Sequence, residues 1–239
     1  YNVKCIIARS RISAVYRVID SRSAAGISYA LKEISDTSLI TAEERHEAGR
    51  AFTILAEKWA RLDHPSLPRI IDFFSTKGKY YVVMNLVHGW SLTHIIEEPS
   101  LSLDEEVIRN WGTQLCDVLD YLHRQDPPIS FSDSKPGHVM ITRQGLVTLV
   151  DFGLTRIFVP WSDTPRERHV TAAGLASDIY ALGRVLDSLV THHLPDKQAG
   201  FSGTFRQPRP SQGYSRQLRA IVTRATRRDP AARFPSVPD

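Results

Sequence analysis

LVTLVDFG, residues 146–153, decides the fold. An apolar strand, Leu146–Val150, runs straight into Asp151, Phe152 and Gly153, so a carboxylate stands at the strand's end. Eighteen residues upstream is Asp133, followed two residues later by Lys135, in FSDSKPGHVMIT (131–142). Far upstream, YALKE (29–33) places Lys32 on a strand with alternating apolar residues. A lone lysine on a strand is ordinarily a surface charge. Two lysines and two carboxylates in this order and spacing call for a joint explanation.

The chain around them changes character along its length. Residues 1 to about 35 alternate as strands in VKCIIA, AVYRVID and ISYALKEI. A helix is predicted from Thr41 to Leu62, opened by Thr41 with Glu44 three residues on, a capping-box spacing. RIIDFFS and KYYVVMNLV read as two more strands joined by a turn at Lys77–Gly78. From Ser91 the pattern becomes helical. Its longest segment, Asp104–Arg124, repeats Val107, Trp111, Leu115, Val118, Leu119 and Leu122 at three- and four-residue steps. Pro195–Tyr214 is a Gly/Pro/Ser-rich loop, and there are no internal repeats.

Composition narrows the class. The 239 residues are 42% hydrophobic and 23% charged, as in an ordinary soluble globular protein with room for one large domain or two lobes. No apolar run approaches the ~18–20 residues of a membrane span, and no signal peptide is evident. The chain opens at Tyr1 without a Met, which suggests a domain cut from something longer. Two cysteines, Cys5 and Cys116, are too few for a disulfide framework and fit a reducing, cytoplasmic setting. The net charge of +4 is mild, and its densest patch is RQLRAIVTRATRRDPAARF (216–234). That patch reads as a solvated helix face, or as a surface for an acidic partner or nucleic acid. Aromatics are not interleaved there as base stacking requires, so no nucleic-acid partner is expected.

The ordered set Lys32, Asp133, Lys135, Asp151 resembles the charges by which protein kinases handle ATP and its metal. Nearly the whole chain resembles a bacterial Ser/Thr protein kinase of the eukaryotic-like type. The resemblance implies an α+β, bilobal protein-kinase-like fold: an N-lobe (1–88) with a five-stranded antiparallel sheet and one helix, and a mostly helical C-lobe (89–239). Val87–Trp90 would be the hinge.

It also implies roles, residue by residue. Lys32 would contact the α- and β-phosphates. Val15, Ala30 and Met140 would sandwich adenine, with Met84 as gatekeeper and the backbone of Asn85 and Val87 at the base edge. Asp133 would accept the substrate hydroxyl's proton, with Lys135 beside the transferred phosphoryl group. Asp151 would hold the metal. Asp178 and Gly183 match the helix whose aspartate braces the catalytic loop.

Other parts are replaced. The glycine positions of the phosphate-covering turn, in IIARSRISAVY (6–16), hold Ala8, Ser10 and Ser13. Arg9 and Arg11 there are either solvated or able to meet phosphate oxygens as side chains. Counting back from LDHPSLPRI (62–70), the position of the glutamate that pairs the lysine falls on Leu55. Glu47 lies about 12 Å further along the helix axis, too far to serve, and Glu57 points to another face, so the expected carboxylate for Lys32 is either Asp151 or none. Leu55 is expected to pack inward near Phe152 and Trp59. Phe131–Ser132 replace the loop's His-Arg pair, removing the usual dock for a phosphorylated segment. His138 replaces the second metal ligand; an imidazole there suits Mn²⁺ or Zn²⁺ better than Mg²⁺, or caps the loop. Asp178 follows Asp151 by only 27 residues, with no Ala-Pro-Glu signature. Arg233 in DPAARF, the usual partner of that glutamate, should be orphaned or re-paired.

The function expected from this pattern is a pseudokinase, a protein-interaction or allosteric module with vestigial Asp133 and Lys135. Its partner would be a protein or a neighbouring domain of the same chain. ATP with Mg²⁺ or Mn²⁺ would bind weakly or not at all. The alternatives are a slow or unconventional Ser/Thr phosphotransferase and a nucleotide sensor that does not hydrolyse ATP.

Overall fold

The computed structural model describes residues 1–22, 26–37, 39, 41–98, 100–101, 103–131, 135–151, 158, 172–194 and 213–238, without the side chains of 172 and 173. The chain forms two compact units. Tyr1–His88 make the first, together with Phe158, and the other described residues from Gly89 onward make the second.

The first unit is a five-stranded antiparallel sheet in the order β1-β2-β3-β5-β4. Its strands are β1 (Asn2–Arg9), β2 (Ser13–Ile19), β3 (Ser28–Ser35), β4 (Ile70–Thr76) and β5 (Lys79–Asn85). The alternation read in YALKE divides β3 between two faces. Tyr29 and Leu31 join Val18 and Val83 in a small apolar cluster on one face. Ala30, Lys32 and Ile34 lie on the other and are buried. The β4–β5 turn is Lys77–Gly78, both at positive φ (50° and 70°). A Cβ on Gly78 would come within 2.8 Å of the Asp36 carboxylate, so this turn admits glycine for two reasons.

Helix α1 (Ala42–Ala60) carries the predicted capping box: Glu44 N–H donates to Thr41 Oγ1 at 3.0 Å, and Thr41 N–H to Glu44 Oε2 at 3.0 Å. Its buried stripe is Ala48, Phe52, Ala56 and Trp59. The Phe52 ring meets Tyr80 at 5.1 Å, Phe158 at 6.3 Å and Phe73 at 6.4 Å, so α1 is joined to the sheet by aromatic packing.

The second unit is built on helices α3 (Glu105–His123), α4 (Ala172–Thr191) and α5 (Arg216–Ala225). A short helix α2 (Leu92–Glu97) and a three-stranded sheet β6-β7-β8 (Gly89–Ser91, Val139–Thr142, Val147–Leu149) accompany them. The buried face of α3 is the predicted one except at its start, where Ile108 is buried and Val107 half-buried. α4 and α5 pack closely at Gly183, where a Cβ would stand 2.7 Å from Ala225 Cβ. The strand predicted to run to Val87 ends at Asn85, and the expected hinge at Val87–Trp90 gives way at Gly89 to β6.

Candidate functional site

The candidate residues fall in both units. In the first, register aligns them across the sheet. Lys32 stands opposite Val15 on β2 and Val82 on β5, and Ala30 stands opposite Met84. Lys32 is 4% exposed and engaged by a partner. Ala30 and Met84 are buried, Val15 and Val87 half-buried. Asn85 is exposed, and its N–H donates to the Arg69 carbonyl at 3.0 Å, so its contribution to any base edge is restricted to its carbonyl.

Leu55, expected to pack inward, is only half-buried; Phe52, less than one turn earlier, takes the fully buried position. The helical period explains this, because the stripe through positions 48, 52, 56 and 59 passes beside position 55. Phe152, its expected neighbour, lies outside the described residues.

The turn between β1 and β2 closes on itself. Ser10 N–H donates to the Ser13 carbonyl at 2.8 Å, Ser13 N–H donates to Ser10 Oγ at 3.1 Å, and the two hydroxyls meet at 2.8 Å. Ser10 is exposed and Ser13 half-buried. The Ser10 hydroxyl thus takes the Ser13 amide, and the Ser13 backbone carbonyl takes the Ser10 amide. Arg9 and Arg11 are exposed.

In the second unit, Asp133 lies outside the described residues, while the loop leading to it is well defined. Asp178 on α4 is fully buried, and its carboxylate gathers three groups. Phe131 N–H donates to Oδ2 at 2.7 Å, Ser130 Oγ donates to Oδ1 at 3.1 Å, and His123 Nε2 lies 2.9 Å from Oδ2. A carboxylate with both oxygens bonded inside the protein fixes the loop's course two residues before Asp133. The bracing role expected of Asp178 is present; its reach to His123 and Ser130 was not read from the sequence. Both could have been found, since His123 ends the amphipathic α3 pattern and Ser130 flanks the loop.

Lys135 is exposed. His138 follows in a single 3₁₀ turn, Pro136–His138, its N–H bonded to the Lys135 carbonyl at 2.8 Å and its carbonyl to Val150 N–H at 2.9 Å. This backbone link ties His138 to the end of β8 and brings its Nε2 to 3.8 Å from Asp151 Oδ2. Both side chains are about one-quarter exposed. Among the described residues no third His, Cys, Asp or Glu completes a cluster with them. Met140 on β7 is half-buried, opposite Ser91 and Thr148.

Arg233 is re-paired. It is 5% exposed, and its guanidinium donates to the carbonyls of Arg227 (2.7 Å), Ala176 (2.8 Å) and Arg228 (3.1 Å) while covering the Tyr180 ring at 4.8 Å. Burial draws its proton affinity below the usual arginine value. Carbonyl oxygens thus accept the donors that a carboxylate accepts in the pattern of the resemblance.

No helix among the described residues is long and apolar enough to cross a membrane. Comparison with known proteins gives a consistent picture. Residues 1–235 match the protein kinase domain family. The chain is 30% identical over 236 residues to serine/threonine-protein kinase Nek1 of Mus musculus, covering 89% of this chain and 18% of that protein. It is 28% identical over 258 residues to serine/threonine-protein kinase PknA of Corynebacterium glutamicum, covering 98% of this chain and 53% of PknA. It therefore spans between about a fifth and about half of the length of these relatives. Among solved structures, the apo form of PpkA-294 superposes with a TM-score of 0.74 at 24% identity, covering 99% of this chain and 92% of that one. The sheet-and-helix first unit and the largely helical second unit are those of the protein kinase fold.

Proposed function

The chain belongs to the protein kinase domain family, and from that premise we propose that it is a pseudokinase. In this reading it is one kinase-like domain, with lobes 1–88 and 89–239, that acts on a protein partner or a neighbouring domain and binds ATP weakly or not at all. The observation that carries the reading is the β1–β2 turn. Phosphate grip by such a turn needs backbone N–H groups presented without side chains in the way. Here the N–H groups of Ser10 and Ser13 are bonded within the turn, and Cβ atoms stand at all three glycine positions.

The metal end supports the same reading. Asp151 with His138 pairs one carboxylate with one imidazole, a donor set that favours Mn²⁺ or Zn²⁺ over Mg²⁺. When bound, a metal there would supply charge neutralisation for nucleotide phosphates. In the first unit, Lys32, Val15, Ala30, Met84 and the backbone of Asn85 and Val87 are the nucleotide-contacting positions that the resemblance implies, and in the second unit Met140 is another.

A second reading, a slow phosphotransferase using Lys32, Asp133, Lys135 and Asp151, is favoured by one observation. The loop leading to Asp133 keeps its buried brace at Asp178.

Two experiments separate them. Calorimetry with ATP should give a dissociation constant weaker than about 100 μM, little improved by Mg²⁺; low-micromolar, Mg²⁺-dependent binding would contradict the proposal. Mass spectrometry after long incubation with ATP, with Mg²⁺ and Mn²⁺ separately, should find no added phosphate. Stoichiometric phosphate that disappears in Asp133→Asn would establish the phosphotransferase instead.

A further inference from the structure

Residues 216–228 contain five arginines and no aspartate or glutamate, more positive charge than the whole chain's net +4. Helix α5 turns Leu218, Val222 and Ala225 inward. Its other side is exposed at Arg216, Ile221 and Arg224, and the exposure continues through Arg227 and Arg228. Two exposed arginines elsewhere are paired: Asp120 holds Arg124 at 2.7 Å and Asp20 holds Arg22 at 3.0 Å. Among the described residues none of the five makes an ion pair. The neighbouring Glu105 is engaged by the N–H and hydroxyl of Ser215, both at 2.6 Å. A helix C-terminus favours cations in its last turn, which accounts for Arg224 and its neighbours but not for Arg216.

Two details give the surface a shape. The Arg224 guanidinium is fixed, lying 4.2 Å over the Phe234 ring and donating to the Arg233 carbonyl at 3.5 Å. Ile221, 45% exposed, stands one turn before it on the same side of α5. One face of the Phe234 ring, which could have stacked on a base, is thus already covered by Arg224, while an aliphatic side chain, Ile221, is left exposed beside Arg224 at the flank of the positive surface. A polyanion needs only the charges; an acidic peptide with one apolar residue uses both.

We propose that this face docks an acidic segment of a protein partner, its carboxylates on Arg216, Arg224, Arg227 and Arg228 and one apolar side chain on Ile221. The proposal is independent of whether ATP binds or phosphate is transferred.

The test is fluorescence polarisation with the 239-residue chain and three labelled probes: a glutamate-rich peptide with one central leucine, the same peptide with serine for leucine, and a single-stranded oligothymidylate of equal charge. The leucine peptide should bind most tightly and weaken steeply between about 0.05 and 0.3 M salt. Arg224→Glu/Arg227→Glu/Arg228→Glu should weaken it by more than about tenfold, and Ile221→Ser by about threefold or more, with unchanged circular dichroism. Should the charge-reversed variant misfold, Arg216→Gln/Arg227→Gln reads the same contact and should weaken binding by about threefold. Equal binding of the two peptides, tighter binding of the oligonucleotide, or indifference to these substitutions would overturn the proposal.

Discussion

The turn at Ser10–Ser13 and the loop at Ser130–Phe131 are both held by side-chain oxygens, but they answer to different parts of the molecule. The turn's bonds span three residues on the protein surface. The loop's bonds reach across 47 and 48 residues to a carboxylate with no exposure. A local surface turn can exchange glycines for serines and satisfy its own amides without disturbing a core. A buried carboxylate cannot be exchanged without stranding several polar groups inside the protein. The two regions therefore differ in what a substitution costs: little at the surface turn, much at the buried carboxylate.

The comparison is broken most directly at Asp178. Asp178→Ala should destabilise the domain by about 3 kcal/mol or more in urea titration, because the buried Phe131 N–H loses its acceptor and Ser130 and His123 each lose a partner. A loss below about 1 kcal/mol would mean that the loop is held by something else, and the contrast with the turn would collapse.

Arg233 is the next largest effect. Arg233→Met keeps much of the stem's packing but strands the carbonyls of Ala176, Arg227 and Arg228, and should cost about 2 kcal/mol. Arg233→Lys should recover little, since one ammonium does not reproduce the planar fork that reaches three carbonyls at once. Full recovery by lysine would show that charge, not geometry, holds the segment.

How legible each region was follows the same division. The sheet, α1 with its capping box, and α3 were readable because alternation, caps and the 3.6-residue period are local properties. β6 and β7 escaped, being three and four residues long and paired with each other across a long stretch of sequence, as Gly89 with Thr142. At the site, order and spacing located Lys32, Asp151 and Asp178, whereas the Ser10–Ser13 bonds depend on turn geometry that residue types alone do not specify. Arg233's new partners are backbone carbonyls, which leave no mark in a sequence. Counting along the motif LDHPSLPRI puts Leu55 at the glutamate's position with its apolar side chain inward. Helix phase decides otherwise, and Leu55→Glu should cost only about 1 kcal/mol, as for a half-buried apolar site. A loss above about 3 kcal/mol would put it back in the core.

The smallest effect on stability is expected at the turn, where it sharpens the comparison most. Ala8→Gly/Ser10→Gly/Ser13→Gly removes both hydroxyls and three Cβ atoms from β1, β2 and the residues between them. Because Ser10 is exposed and the freed amide of position 13 can turn to water, the loss in stability should be about 1 kcal/mol or less, much of it the entropy of added glycines. The same change presents that N–H to solvent without a Cβ beside it, where a phosphate oxygen could meet it. If turn closure is what weakens nucleotide binding, the triple variant should show a larger ATP-induced thermal shift than the parent protein, with Mn²⁺ above Mg²⁺ because His138 is untouched. If the shift stays at zero with either metal, closure of the turn is not what governs nucleotide binding. A stability loss of several kcal/mol would instead mean that the hairpin is bound into the fold as firmly as the loop at Asp178, and the two regions would no longer differ in kind.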